Sequence, residues 1–279
     1  MSALAFRRAG RVGLHGVLLA GAAVMLFPFA WMLLASLKSQ PDILAHPLRP
    51  WPQPWTWSNY PSSWDAAPFA RAYFNSVLIA AFVVGGTLLT AAMAAYGFAR
   101  LRFRGSTALF VCFLATMMVP RQVTLIPTYW LMSRLGWVDN PLAIIVPGAL
   151  FNPFAIFLLV QFVRAVPVEL EEAALLDGAS RWGVFWGVVL PNVRPGLAAV
   201  GIIVFLDTWN NFLYPLVFLN SPEKFTVPLL LAQFSSAHHI DYGQLMAGTA
   251  ISVVPVLIVY VIAQRAIIES MAASGMGGR

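Results

Sequence analysis

Long, uninterrupted apolar runs dominate the chain. A bilayer hydrocarbon core is about 30 Å thick, and a helix of about 20 apolar residues spans it. Six stretches reach that length, at about 12–37, 73–98, 106–126, 142–163, 196–218 and 246–268. Runs of this kind mark membrane spans, and because they are continuous and do not alternate at period two they select helices over a β-barrel. Composition agrees. Charged residues make up 10% of the 279 positions and hydrophobic ones 59%. A soluble domain carries about 25% charged residues. An ordinary cytosolic enzyme, a disordered chain and a secreted disulfide scaffold are therefore excluded. The single cysteine, Cys112, lies in an apolar run. That excludes an internal disulfide, a cysteine zinc cluster and a CxxC redox site.

The first stretch follows Arg7, Arg8 and Arg11. It is longer than the apolar region of a signal peptide and lacks a small-residue cleavage site, so it reads as a retained span. Orientation follows from lysine and arginine placement. With the N-terminus inside, inner segments hold eleven of the 17 basic residues, including the Arg100, Arg102 and Arg104 cluster, and outer segments hold six. Both termini are thus expected in the cytoplasm. The net charge of +6 is a topology signal. No basic stripe with interleaved aromatics calls for a nucleic-acid partner. The expected organisation is a first span with its outer loop (1–69), a transmembrane core (70–268) and a cytoplasmic tail (269–279). The outer loop carries Trp51, Trp55, Trp57 and Trp64. Such residues either rest at headgroup level in the membrane lipid or meet an outer partner. Pro120 and Pro127, in or near the third span, mark either a packing kink or a helix beside a transport pathway.

Between the fourth and fifth spans lies an inner loop holding four of the chain's eleven acids: Glu169, Glu171, Glu172 and Asp177. Its sequence predicts two short helices around a turn. Pro167 suits a first helical turn, where no amide partner is needed. The three glutamates favour the positive end of the helix dipole. Gly178 can take the left-handed conformation that ends a helix, and Ser180 can cap the next. Pro191 marks the end of the second helix or a bend into the fifth span. Leu170, Ala173 and Ala174 share one face, with two small residues that permit close approach. An acidic face is poorly suited to an anionic inner leaflet. On residues alone the loop is either a solvated turn or a docking element for a basic protein surface.

Glu172-Ala173-Ala174 is followed by three residues, then Gly178, then nine more before Val188-Val-Leu-Pro191. This resembles the EAA loop, the signature of inner-membrane permeases of binding-protein-dependent ABC importers, with Val188 in place of isoleucine. The resemblance extends over about residues 70–265. It includes Asn75-Ser76, the run Ala94 to Gly105, Met117-Met118-Val-Pro120, Ile126-Pro127, Trp209-Asn210-Asn211-Phe212-Leu213-Tyr-Pro215 and Pro255. Together these are similar to the carbohydrate-uptake branch, and within it to the shorter, six-span permease of maltose-type transporters. The ending Gly275-Met-Gly-Gly-Arg279 departs from the branch's commoner Lys-Gly ending.

The resemblance implies an all-α integral membrane fold with six transmembrane helices and a cytoplasmic coupling loop. It implies that Glu172 meets a basic residue of a cytoplasmic ATP-binding subunit. Ala173 and Ala174 would pack into that subunit's cleft, with Gly178 forming the turn beside Asp177. It also implies a second permease subunit, an extracytoplasmic solute-binding protein and a bacterial inner-membrane location. ATP-Mg would bind the partner ATPase. This chain lacks GxxxxGK[ST], and its two lysines, Lys38 and Lys224, fall in outer loops, so no cofactor is expected on it. No catalytic residue is expected either. The solute expected is a sugar or oligosaccharide, with glycerol phosphate the alternative. A stand-alone channel would explain the spans and leave the acidic loop unexplained.

Asp207, in the fifth span, lies near Trp209, Asn210 and Asn211. An ionisable group at membrane depth is costly and faces protein interior or a cavity. The four residues either line a sugar's path or bond neighbouring helices. His238-His239 with Asp241 has metal-ligand chemistry, but without further ligands it reads as a solvated loop.

Overall fold

The computed structural model describes residues 2–236 and 241–275. His238 and His239 lie outside the described residues, as do residues 276–279 of the tail. The described residues form helices and connecting turns, in the order α1 (Ser2–Ala35), α2 (Gln40–Ala45), α3 (Asn59–Ala66), α4 (Phe69–Arg100), α5 (Ser106–Thr116), α6 (Leu125–Arg134), α7 (Leu142–Leu150), α8 (Pro153–Ala165), α9 (Val168–Leu176), α10 (Arg181–Val184), a π turn (Phe185–Val189), α11 (Leu190–Asn192), α12 (Arg194–Trp209), α13 (Leu213–Phe218), a 3-10 turn (Pro222–Lys224), α14 (Val227–Ser236) and α15 (Tyr242–Gly275).

Among the described residues, four segments are long and apolar enough to cross a bilayer: Gly13–Ala35, Phe69–Arg100, Leu142–Ala165 and Tyr242–Ile262. The pair Arg181–Asn192 and Arg194–Trp209, bent by 75°, gives a fifth when counted as one span. Six continuous helices are therefore not what forms, and proline chemistry explains the first of the breaks. The stretch 106–126 breaks after Thr116. Pro120 cannot donate to the Thr116 carbonyl, and it biases Val119 away from helical geometry. The chain instead runs through i-to-i+3 turns and restarts at Leu125. The stretch 196–218 breaks at Asn210. The Tyr214 amide is taken by the Asn211 side chain at 3.1 Å, and α13 begins there.

The chain divides into two compact units. The first holds residues 1–67 and 231–253. The segment between α1 and α4 is folded around buried polar groups. Lys38 reaches the carbonyls of His46 and Arg49, Arg49 pairs with Asp42, and Asn59 donates to the carbonyls of Ser36 and Lys38 at 2.8 Å each. Trp51, Trp55, Trp57 and Trp64 are exposed.

The second unit, residues 68–230 and 254–279, is organised around α4, which packs on α7, α8 and α12. Its buried stripe runs Ala72, Asn75, Ser76, Ile79, Ala80, Val83, Thr87, Ala91, Ala92 and Ala95. Small residues at helical spacing let backbones approach, which is how membrane helices associate without a hydrophobic drive. A Cβ built on Gly196 of α12 would lie 2.5 Å from the Phe162 ring, so α12 meets α8 with no room for a side chain. Thr87 and Thr90 donate to the carbonyls of Gly148 and Ala149 at 3.0 and 2.8 Å. At the other end of α4, Asn75 donates to the Glu223 and Phe225 carbonyls, and Ser76 accepts the Val227 amide at 2.9 Å.

Candidate functional site: the acidic helical hairpin

Helix α9 begins directly after Pro167 and ends in a Schellman closure. The Gly178 amide bonds the Leu175 carbonyl at 3.1 Å and the Ala179 amide bonds Ala174 at 3.0 Å. That geometry needs a left-handed residue. Gly178 supplies it with φ +87°. Ser180 then caps α10, its Oγ accepting the Gly183 amide at 3.1 Å. The hairpin read from the sequence is therefore formed, with Pro167, Gly178 and Ser180 in the expected positions. The chain turns again at Val193, and α12 leaves at 75° to the α10–α11 segment, two residues past Pro191.

The hairpin has an inner and an outer side. Glu171 points inward and is buried with Arg100, whose Nε donates to its Oε1 at 2.5 Å. The same guanidinium donates to the Val163 and Val166 carbonyls at 2.7 and 2.5 Å. One side chain at the end of α4 therefore satisfies the end of α8 and anchors α9. Charge placement assigned Arg100 to topology and Glu171 to a helix dipole. Their pairing was missed, since no spacing rule links residues 71 apart. Beneath α10, Phe185 is buried against Tyr96, Trp182 and Trp186, with ring centroids 5.1–5.9 Å apart.

The outer side is open. Glu172, Ala173, Asp177 and Gly178 are exposed and Ala174 is half-buried. Around them stand the exposed apolar side chains of Leu170, Leu175, Trp182 and, at 89% exposure, Leu176. Charge and apolar surface thus sit together on a two-helix tip.

Asp207 does not stand alone. Its Oδ2 takes a bond from Nη1 of Arg121 at 2.8 Å, joining the end of α12 to the turn after α5. Trp209, by contrast, is only 4% exposed and packs on Tyr73 and Phe205. Asn210 donates back to the Leu206 carbonyl at 2.9 Å, and the Asn211 side chain accepts the Tyr214 amide in the first turn of α13. Of this group Asp207 and Asn210 face outward. Asp241 accepts the Gln244 amide at the start of α15. Among the described residues no group of three metal-ligating side chains occurs.

On the opposite side of the second unit from the hairpin, Asp139 gathers the 219–224 segment. Its carboxylate accepts the amides of Asn220 and Ser221, the Ser221 hydroxyl at 2.6 Å and Lys224 Nζ at 2.8 Å. Lys224 first, then the Ser221 hydroxyl and amide, hold this carboxyl well below the usual carboxylate range.

An all-helical membrane bundle carrying a helical hairpin between two spans defines a class of integral membrane component. The chain belongs to the family described as "Binding-protein-dependent transport system inner membrane component", which matches residues 86–272. It is a multi-pass inner-membrane protein. It is 34% identical to the diacetylchitobiose uptake system permease protein NgcG of Streptomyces coelicolor, over 92% of this chain and 86% of the relative. It is 31% identical to the lactose transport system permease protein LacG of Rhizobium radiobacter, over 96% and 97%. Its fold is shared with a crystal structure of a bacterial ABC transporter for the acidic polysaccharide alginate. There the TM-score is 0.82 at 24% identity, covering 92% of this chain and 97% of that one.

Proposed function

We propose that this chain is one of two permease subunits of an ATP-driven importer for a sugar or oligosaccharide. The observation that carries the reading is the α9–α10 tip. It is clamped to two spans on one side and open, with Glu172, Ala173 and Ala174, on the other. That surface suits a cleft with a basic rim on a cytoplasmic ATP-binding subunit. Because Arg100 holds α9 to the ends of α4 and α8, a displacement of the tip is transmitted to the spans. Nucleotide closure on the partner then selects the outward-facing state, in which a binding protein delivers solute. A conformational bias of several kcal/mol is enough to invert the population. The broken stretches 106–126 and 196–218 each complete a crossing, giving six, with both termini inside.

The named relatives favour saccharide over glycerol phosphate. Lactose is neutral, whereas alginate is acidic, so solute charge varies among similar proteins. Glu172→Lys tests the coupling. Membrane insertion is retained and binding-protein-dependent uptake is lost; unchanged uptake removes the assignment. Purification of the tagged chain recovers ATP-binding subunits and a second permease. Solute flux through this chain alone, without ATP, would support a channel instead.

A further inference from the structure

Two breaks in the apolar stretches meet at one ion pair. Arg121 sits in the turn between α5 and α6, and Asp207 lies two residues before the end of α12. Thirteen helical steps separate Arg194 from Asp207, about 20 Å along the axis, so with Arg194 at the inner boundary Asp207 lies within a hydrocarbon core of about 30 Å. The side chains are 60% and 54% exposed. Residues 117–124, the non-helical link carrying Arg121, are exposed throughout. Hydrocarbon is not a medium for either feature. A charged pair at this depth faces protein or a water-filled cavity, and the same holds for irregular backbone. The Asn210–Phe212 break, with exposed Asn210, borders the same place.

We propose that the Arg121–Asp207 pair lies on the aqueous face of the translocation pathway and keeps that face charge-balanced for an uncharged, hydroxyl-rich solute. This rests on the importer reading above. The guanidinium offers donors and the carboxylate acceptors, so hydroxyls find both while the pair adds no net charge. Loss of either partner converts the surface to one that discriminates by charge.

The full importer is purified with Cys112→Ser and Gln122→Cys in this chain, and labelling of this chain is read by mass spectrometry. Rates are measured with the anionic sulfonatoethyl and the cationic trimethylammoniumethyl methanethiosulfonate, at rest and after trapping with ATP and vanadate. Both reagents are expected to label in at least one state. Asp207→Asn is expected to raise the anionic-to-cationic rate ratio by about 3- to 10-fold, the effect of one uncompensated charge at about 8–10 Å in partly aqueous surroundings. Arg121→Gln is expected to lower it similarly, and the neutral double variant to restore it. No labelling in either state, or a ratio indifferent to both substitutions, overturns the proposal. Recovery of the ATP-binding subunits with each variant reports separately on the importer reading.

Discussion

Removing Arg100 is expected to loosen the hairpin more than removing Glu171, and the structure sets the order. The two side chains are 10% and 8% exposed, so this is a buried pair. Breaking such a pair by removing one partner costs about 3–5 kcal/mol, because the other charge is left uncompensated. The two truncations are not equivalent. Glu171→Ala leaves the guanidinium its bonds to the Val163 and Val166 carbonyls, so its cost falls to about 2–3 kcal/mol. Arg100→Ala strands the carboxylate and both carbonyls together, and its cost lies at about 5 kcal/mol. Hydrogen exchange of the 168–184 amides in the purified importer reads local opening directly. At tenfold per 1.4 kcal/mol, protection drops by about 10²-fold for Glu171→Ala and by about 10³-fold or more for Arg100→Ala. The double variant recovers about 2 kcal/mol relative to the sum, as residues in contact do. Equal effects of the two single variants, or additivity within about 0.5 kcal/mol, would refute the clamp.

Gly178→Ala places a Cβ in open space but in the left-handed region, at a cost of about 1–2 kcal/mol, and Gly178→Asn costs less; thermal unfolding of the importer separates the two. Gly196→Ala drives a methyl into the Phe162 ring and is expected to destabilise by about 1–3 kcal/mol, measured in the same assay, with Phe162→Leu partly restoring it. Asp139 carries a pH signature. Its carboxyl is held low in the folded chain, so its stabilisation is complete above the unfolded value of about 3.9 and is lost as pH falls through the lower folded value. Asp139→Asn therefore lowers stability at neutral pH, and the two stability profiles converge in strong acid.

What could be read from the sequence followed from local chemistry. The helical hairpin was legible because Pro167, Gly178 and Ser180 each act within a few residues of where they stand. Spans α1, α4 and α15 were legible because length and apolarity suffice. The broken stretches were not, since an apolar window counts side chains and is blind to the backbone path. Pro120 flagged a kink without showing that the helix would stop at Thr116. Pairings across 71 and 86 positions, Arg100 with Glu171 and Arg121 with Asp207, had no local signal at all. Topology alone accounts for each arginine, so the charge pattern carries no sign of its partner.

On the coupling reading, adjacent glutamates with opposite environments divide the hairpin's work. Residues i and i+1 on a helix are about 100° apart, so Glu171 and Glu172 cannot serve the same surface. One is buried against Arg100 and fixes α9 to the span ends; its neighbour is exposed on the tip. A lever needs both. Without Glu171, force applied at Glu172 would rotate α9 and leave the bundle in place. Without Glu172, the anchored helix would have less to grip. The two residues therefore fail differently on the coupling reading. Glu171→Ala is expected to keep partner binding while lowering uptake per ATP hydrolysed, and Glu172→Lys is expected to lose partner binding first. Co-purification yield and transport stoichiometry distinguish them, and loss of partner binding by Glu171→Ala with transport stoichiometry intact would contradict the division of roles.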